Sequence, residues 1–124
     1  LVGARVRNAQ AYNSLLKDVP GLTLPPQAQG VKNVFWMYAI MVEDAFGMNR
    51  DELRGRLAER GIETRTFFIP MHLQPIYHKQ YMGQSYPVSE SLCSKGLYLP
   101  SSSSLSEYDI RQVSEAVIDI QARR

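Results

Sequence analysis

The chain has 124 residues, a net charge of +2, 44% hydrophobic and 21% charged residues. That length fits one domain over 1–124 and is enough to bury roughly two-thirds of the unfolded surface without staples. Balanced charge argues against an electrostatic nucleic-acid binder. The longest apolar run, Val34 to Val42, is far short of the ~18 residues of a membrane span. A single cysteine, Cys93, excludes an internal disulfide framework and any multi-cysteine metal site. Such usage fits a reducing compartment and gives the expectation of a cytoplasmic protein.

Residues 2–18 read as an amphipathic helix, with Val2, Val6, Ala9 and Leu16 near one face and Tyr12 and Leu15 flanking it. The chain opens directly into this pattern without an initiator Met, which reads as a fragment or a processed terminus. Pro20-Gly21 ends the helix, and residues 22–30 read as a loop around Pro25-Pro26. Residues 35–42 (FWMYAIMV) read as a central strand, apolar on both faces.

Residues 48–61 give the clearest helix. Asn49 is the N-cap, Glu52 completes a capping box, Met48 and Leu53 form a staple, and Gly61 is the stop. Residues 62–69 (IETRTFFI) alternate as a strand. Ile62, Thr64, Thr66 and Phe68 share one face; Glu63, Arg65 and Phe67 share the other.

Residues 70–86 read as an irregular segment, broken by Pro70, Pro75 and Gly83. It carries His72, Gln74, Tyr77, His78, Tyr81 and Tyr86, and long loops of this kind are often functional. A short helix over 87–95, a strand over 97–99 and a polar turn over 101–104 follow. Ser106 caps the last helix, with Asp109 three residues on and a core stripe of Ile110, Val113, Val117 and Ile120. Short strands separated by helices imply an α/β or α+β two-layer sandwich; a small, mostly antiparallel sheet with helices packed on it is the expectation.

Familiar chemical signatures are missing. His72 and His78 have no zinc-ligand spacing and no partner cluster. There is no GxSxG elbow, no GxGxxG and no P-loop. Cys93 reads as a helix-packing residue beside Val88 and Leu92. The segment Thr64 to Tyr77 stands out. Arg65 offers a planar fork for a carboxylate or phosphate, and His72 can donate or accept near neutral pH.

That segment, TRTFFIPMHLQPIY, resembles the "TRpfFyPmHxqPxY" stretch of the DegT/DnrJ/StrS family of sugar aminotransferases. Other pieces are similar in the same order: Phe35-Trp36-Met37-Tyr38, Asn49 to Leu53, Gly61 to Arg65, Tyr86 to Glu90, Leu97 to Pro100, and the last helix. The WMY and FFxPMHxQP forms are most similar to GDP-perosamine synthase-like members. Two departures are Ile69, where many relatives have Tyr, and Thr66, where Pro is frequent.

The resemblance covers the small C-terminal domain of these fold-type I enzymes. It implies a parent that moves an amino group from glutamate to a keto-sugar nucleotide with pyridoxal phosphate. A separate large domain would supply the cofactor lysine, and a homodimer would be the working form. This chain alone is expected to hold no cofactor, because Lys17, Lys32, Lys79 and Lys95 stand in no recognisable cofactor context. The resemblance implies substrate-binding roles for Arg65, His72, Gln74 and Tyr77, with no catalytic residue and no metal ligand in the chain. Trp36 and Tyr38 are expected to pack. A free-standing small-ligand module or a non-catalytic remnant is the alternative reading. An exposed apolar face, bare without the large domain, is expected to drive self-association.

Overall fold

The computed structural model describes residues 1–124. Five α-helices and four short strands make up the chain. Helix α1 covers Val2–Leu16, β1 Leu22–Thr23, β2 Tyr38–Val42 and α2 Arg50–Glu59. Strand β3 covers Arg65–Thr66, α3 Pro75–His78, α4 Pro87–Lys95, β4 Gly96–Leu99 and α5 Glu107–Ala122. Single 3-10 turns lie at Asp44–Phe46 and Met71–Leu73. The sheet runs β1-β2-β4-β3, and all three pairings are antiparallel. The expected small antiparallel sheet with packed helices is what the chain forms.

Tyr38, Ile40 and Val42 alternate toward one face of β2, and Leu97 and Leu99 do the same on β4. Across that face lie Ala9, Tyr12 and Leu16 of α1, Leu53 and Leu57 of α2, and Ile110, Val113, Val117 and Ile120 of α5. Eighteen buried apolar residues form this one core. The helix stripes do what their 3.6-residue period demands. Both expected capping boxes form. Asn49 accepts from the Glu52 amide and Ser106 from the Asp109 amide, while each N3 carboxylate accepts from its cap amide. Gly61 ends α2 with φ +76°, a left-handed turn that a Cβ would disfavour.

Several expectations are corrected. The strand expected from residue 35 begins at Tyr38, because Phe35 takes φ +48° and breaks the extended run. Trp36 is consequently 65% exposed and does not pack, whereas Tyr38 is fully buried. The loop expected at 22–30 contains β1, whose two residues pair with Val42 and Met41 and are too few to show a period. In α1, Tyr12 is central to the buried face and Val2 is exposed. The expected strand over 62–69 shrinks to Arg65–Thr66, with one further ladder bond from the Phe67 amide to Gly96. Ile62, Thr64 and Thr66 do turn inward, but Phe68 is exposed. Helix α4 buries no residue fully; Val88 and Leu92 are exposed, so Cys93 does not share a packed stripe with them.

Candidate functional site

The face of the sheet opposite the core is formed by Arg65, Phe67 and Tyr98 in register. Arg65 stands across from Tyr98 and Thr66 across from Leu97. Phe67 lies over Gly96, where a Cβ would meet its ring at 2.3 Å. The absence of that Cβ lets the Phe67 ring stack on Tyr98, with centroids 4.6 Å apart. These two rings form the floor of a cleft of about 960 Å³.

One wall of the cleft is the irregular segment from Phe68 to Tyr86; the other is α4, through Ser89, Leu92 and Cys93. Proline shapes the first wall. Pro70 leads into the 3-10 turn at 71–73, and Pro75 occupies the first helical position of α3, where a missing N–H costs nothing. The Gln74 side-chain amide donates to the Ile69 carbonyl at 3.1 Å and closes the turn on itself. The rings of Tyr77 and Tyr81 lie 6.4 Å apart along the same wall.

His72 sits where the two walls meet. It is 93% buried, its Nε2 lies 2.9 Å from Glu90 Oε1 of α4, and its ring is tilted against Tyr86 at 4.6 Å. Burial also pushes the Tyr98 phenol further up from an ordinary range that already lies well above neutral pH. The cleft therefore offers neutral aromatic faces and hydroxyls, one imidazole and one side-chain amide. Such a lining suits a ring-shaped polar ligand that can lay an apolar face on tyrosine and give hydrogen bonds at its edges.

Of the four residues singled out in the sequence, His72, Gln74 and Tyr77 line this cleft together. Arg65 does not. Its exposed side chain borders two neighbouring depressions, one of about 730 Å³ shared with Arg5, Trp36 and Ser101. Tyr98 borders both the aromatic cleft and that depression. Trp36, expected to pack, instead borders the depression beside Arg5, whose guanidinium donates to the Trp36 and Ser101 carbonyls. Sequence reasoning missed Glu90, Phe67 and Tyr98 as parts of the site. Phe67 and Tyr98, far apart in sequence, meet only through the pairing of β3 with β4. Nothing local in the sequence joins Glu90 to His72.

No group of three or more His, Cys, Asp or Glu side chains converges in a metal-binding cluster. No helix is long and apolar enough to cross a membrane.

Comparison with known proteins gives one consistent answer. The GDP-perosamine synthase of Escherichia coli O157:H7 is 36% identical over 91 residues, which is 73% of this chain and 24% of that protein. The GDP-perosamine synthase of Vibrio cholerae is 26% identical over 117 residues, 94% of this chain and 32% of that protein. Among solved structures, S. venezuelae DesV superposes with a TM-score of 0.90 and 33% identity, covering 99% of this chain and 32% of that one. A DegT DnrJ EryC1 StrS aminotransferase from Brucella abortus gives 0.82 and 35%, covering 97% and 31%. The chain thus spans about a quarter to a third of the length of these relatives. Residues 1–118 match the DegT/DnrJ/EryC1/StrS aminotransferase family, and with the fold and the ordered motifs in agreement, the chain belongs to that family.

Proposed function

We propose that this chain is the C-terminal, substrate-covering domain of a pyridoxal-phosphate-dependent nucleotide-sugar aminotransferase, inactive alone. The parent would transfer the amino group of glutamate to a keto-sugar nucleotide, working as a cytoplasmic homodimer. The observation that carries the reading is the aromatic cleft that joins His72, Gln74 and Tyr77 in a chain matched to the family over residues 1–118. Partial coverage of every relative named above supports a larger partner domain.

Pyridoxal phosphate acts as an electron sink when bound. The residues present do not fit as its holders. A cofactor lysine must be desolvated and poised, yet Lys17, Lys32 and Lys79 are exposed and Lys95 is paired with Glu43 at 2.9 Å. No step through the cofactor is therefore assigned to this chain. Its own residues would bind and shield. Tyr77, Tyr81 and Tyr98 would face the sugar ring, and His72 and Gln74 would hydrogen-bond its edge. Arg65, on the adjoining surface, would pair with a phosphate or a donor carboxylate.

Two experiments test this. Sequencing immediately upstream of Leu1 is expected to show an in-frame continuation containing a cofactor lysine; a stop codon or start signal just upstream would overturn the reading in favour of a free-standing module. In the full-length parent, His72→Ala is expected to lower turnover or donor affinity. Unchanged kinetics would remove His72 from the site.

A further inference from the structure

Between Arg65 and Lys95 only one residue is buried, and it is His72. Every other side chain in this stretch is half-buried or exposed, including all of α3 and α4. Segments with few buried apolar contacts open easily. The wall of the cleft is therefore held at a polar point, and the partner at that point is Glu90 of α4, the helix of the opposite wall.

The geometry of the pair is asymmetric. Glu90 Oε1 lies 2.9 Å from His72 Nε2, and Nδ1 makes no hydrogen bond within the chain. An ionised carboxylate only accepts, so Nε2 carries the proton and donates, and in the neutral imidazole Nδ1 is then an acceptor. That leaves Nδ1 as the nitrogen available to a ligand. Glu90 is absent from the cleft lining, whereas His72 and the Tyr86 ring that leans on it both line it. Tyr86 and Glu90 are the titratable groups packed on the imidazole, and Tyr86 gives its own hydroxyl hydrogen to Gln84 rather than to His72.

We infer that Glu90 is a positioning residue. It fixes His72 with Nε2–H turned to α4 and Nδ1 turned to the cleft, and through His72 it pins the 68–86 wall to α4. The ligand group this arrangement selects is a hydrogen-bond donor, a hydroxyl or an N–H, meeting an acceptor nitrogen. The ligand role rests on the functional reading above; the positioning role does not.

Nuclear magnetic resonance of the unmodified chain tests the inference without cofactor or ligand. A buried, bonded imidazole N–H exchanges slowly enough to be seen, whereas exposed His78 provides the reference that is not. The expected spectrum shows one protected imidazole proton, bound to Nε2 of His72. A proton on Nδ1, or no protected proton, overturns the assignment whatever the variants do. In Glu90→Ala the resonance is lost, and the backbone amides of Leu73 and Gln74, bonded to the Pro70 and Met71 carbonyls, exchange about 10- to 100-fold faster. Amides of β2 and β4 keep their protection in that variant. Glu90→Gln, which retains an acceptor oxygen, restores the proton signal. Retention of both the resonance and the slow exchange in Glu90→Ala overturns the role. If the resonance behaves as stated while a nucleotide sugar leaves it unmoved in the full-length parent, the ligand reading fails and the positioning role stands.

Discussion

Tyr12 of α1 and Tyr38 of β2 stack in the core with ring centroids 4.6 Å apart, and each phenol reaches out of it to a different partner. Tyr12 donates to the Pro100 carbonyl and Tyr38 to Asn13 Oδ1, both at 2.6 Å. One aromatic pair thus ties the first helix to the sheet and to the end of β4. Tyr12→Phe leaves the Pro100 carbonyl without its donor and is expected to cost about 1–2 kcal/mol. Tyr12→Ala also opens a cavity and is expected to cost about 3–5 kcal/mol. Urea denaturation of the two variants checks the order.

Burial pushes both phenols far above the ordinary tyrosine range. The folded state then keeps protons that the unfolded chain releases above about pH 10. Stability contributed this way is complete below that value and falls as pH rises through the alkaline range. Alkaline titration followed by phenolate absorbance should show Tyr12 and Tyr38 ionising only with unfolding. Smooth ionisation of all seven tyrosines in a folded chain would contradict it.

At the acid end three carboxylates act in the opposite sense. Asp109 is held below the usual range, first by the Ser106 amide and then by its hydroxyl. Asp119 is lowered by Arg60 and Arg123, and Glu43 by Lys95 and Thr23. Their contribution is present above the unfolded carboxylate pKa and is lost as pH falls through the lowered folded values. The melting temperature should drop across that acid window, and Asp109→Asn should flatten the drop. An unchanged slope in that variant would remove the Ser106–Asp109 cap from the account.

Arg50 opens α2 and is nearly buried, with its side chain 12% exposed. Its Nη1 donates to the Cys93 and Gly96 carbonyls at 2.7 and 2.9 Å, while Nε pairs with Asp51. The first residue of one helix therefore satisfies carbonyls at the end of another. Arg50→Met should cost about 1.5–3 kcal/mol, since hydrogen bonds from a charged donor are lost at part-buried carbonyls. Chemical denaturation measures this directly.

Gly96 is constrained by its neighbour. Gly96→Ala places a methyl against the Phe67 ring and must displace it from Tyr98. The expected cost is about 1–3 kcal/mol, with the cleft floor disturbed at the same time. Loss of the Phe67–Tyr98 ring-current shifts, read alongside the melting temperature, checks both effects.

Phe68, Ile69, Met71, Ile76 and Met82 are each more than half exposed along the cleft wall and its outer side. Exposed apolar groups concentrated on one segment favour association. Sedimentation of the isolated chain should reveal concentration-dependent self-association, reduced by Ile76→Lys. A strict monomer at high concentration would refute this expectation.

The residues that determined their own structure did so through near neighbours in sequence. Both capping boxes, the Gly61 stop and the stripe of α5 depend on groups at most a few residues apart, so their spacing carries the information. The ordered family motifs likewise identified the kind of domain from the residues alone. Tertiary structure decided what depends on distant partners. Trp36 faces outward because Phe35 turns the chain just before β2, and β1 exists only because β2 pairs with it. His72 was legible as a candidate, but its anchor Glu90 lies 18 residues on and across a helix. Arg65 was grouped with His72 by sequence and kept out of its cleft by the fold, since β3 pairs it across from Tyr98, where it borders the neighbouring depressions. Local spacing encodes hydrogen bonds within a turn of backbone; only the packing of distant segments decides which side chains share a cleft.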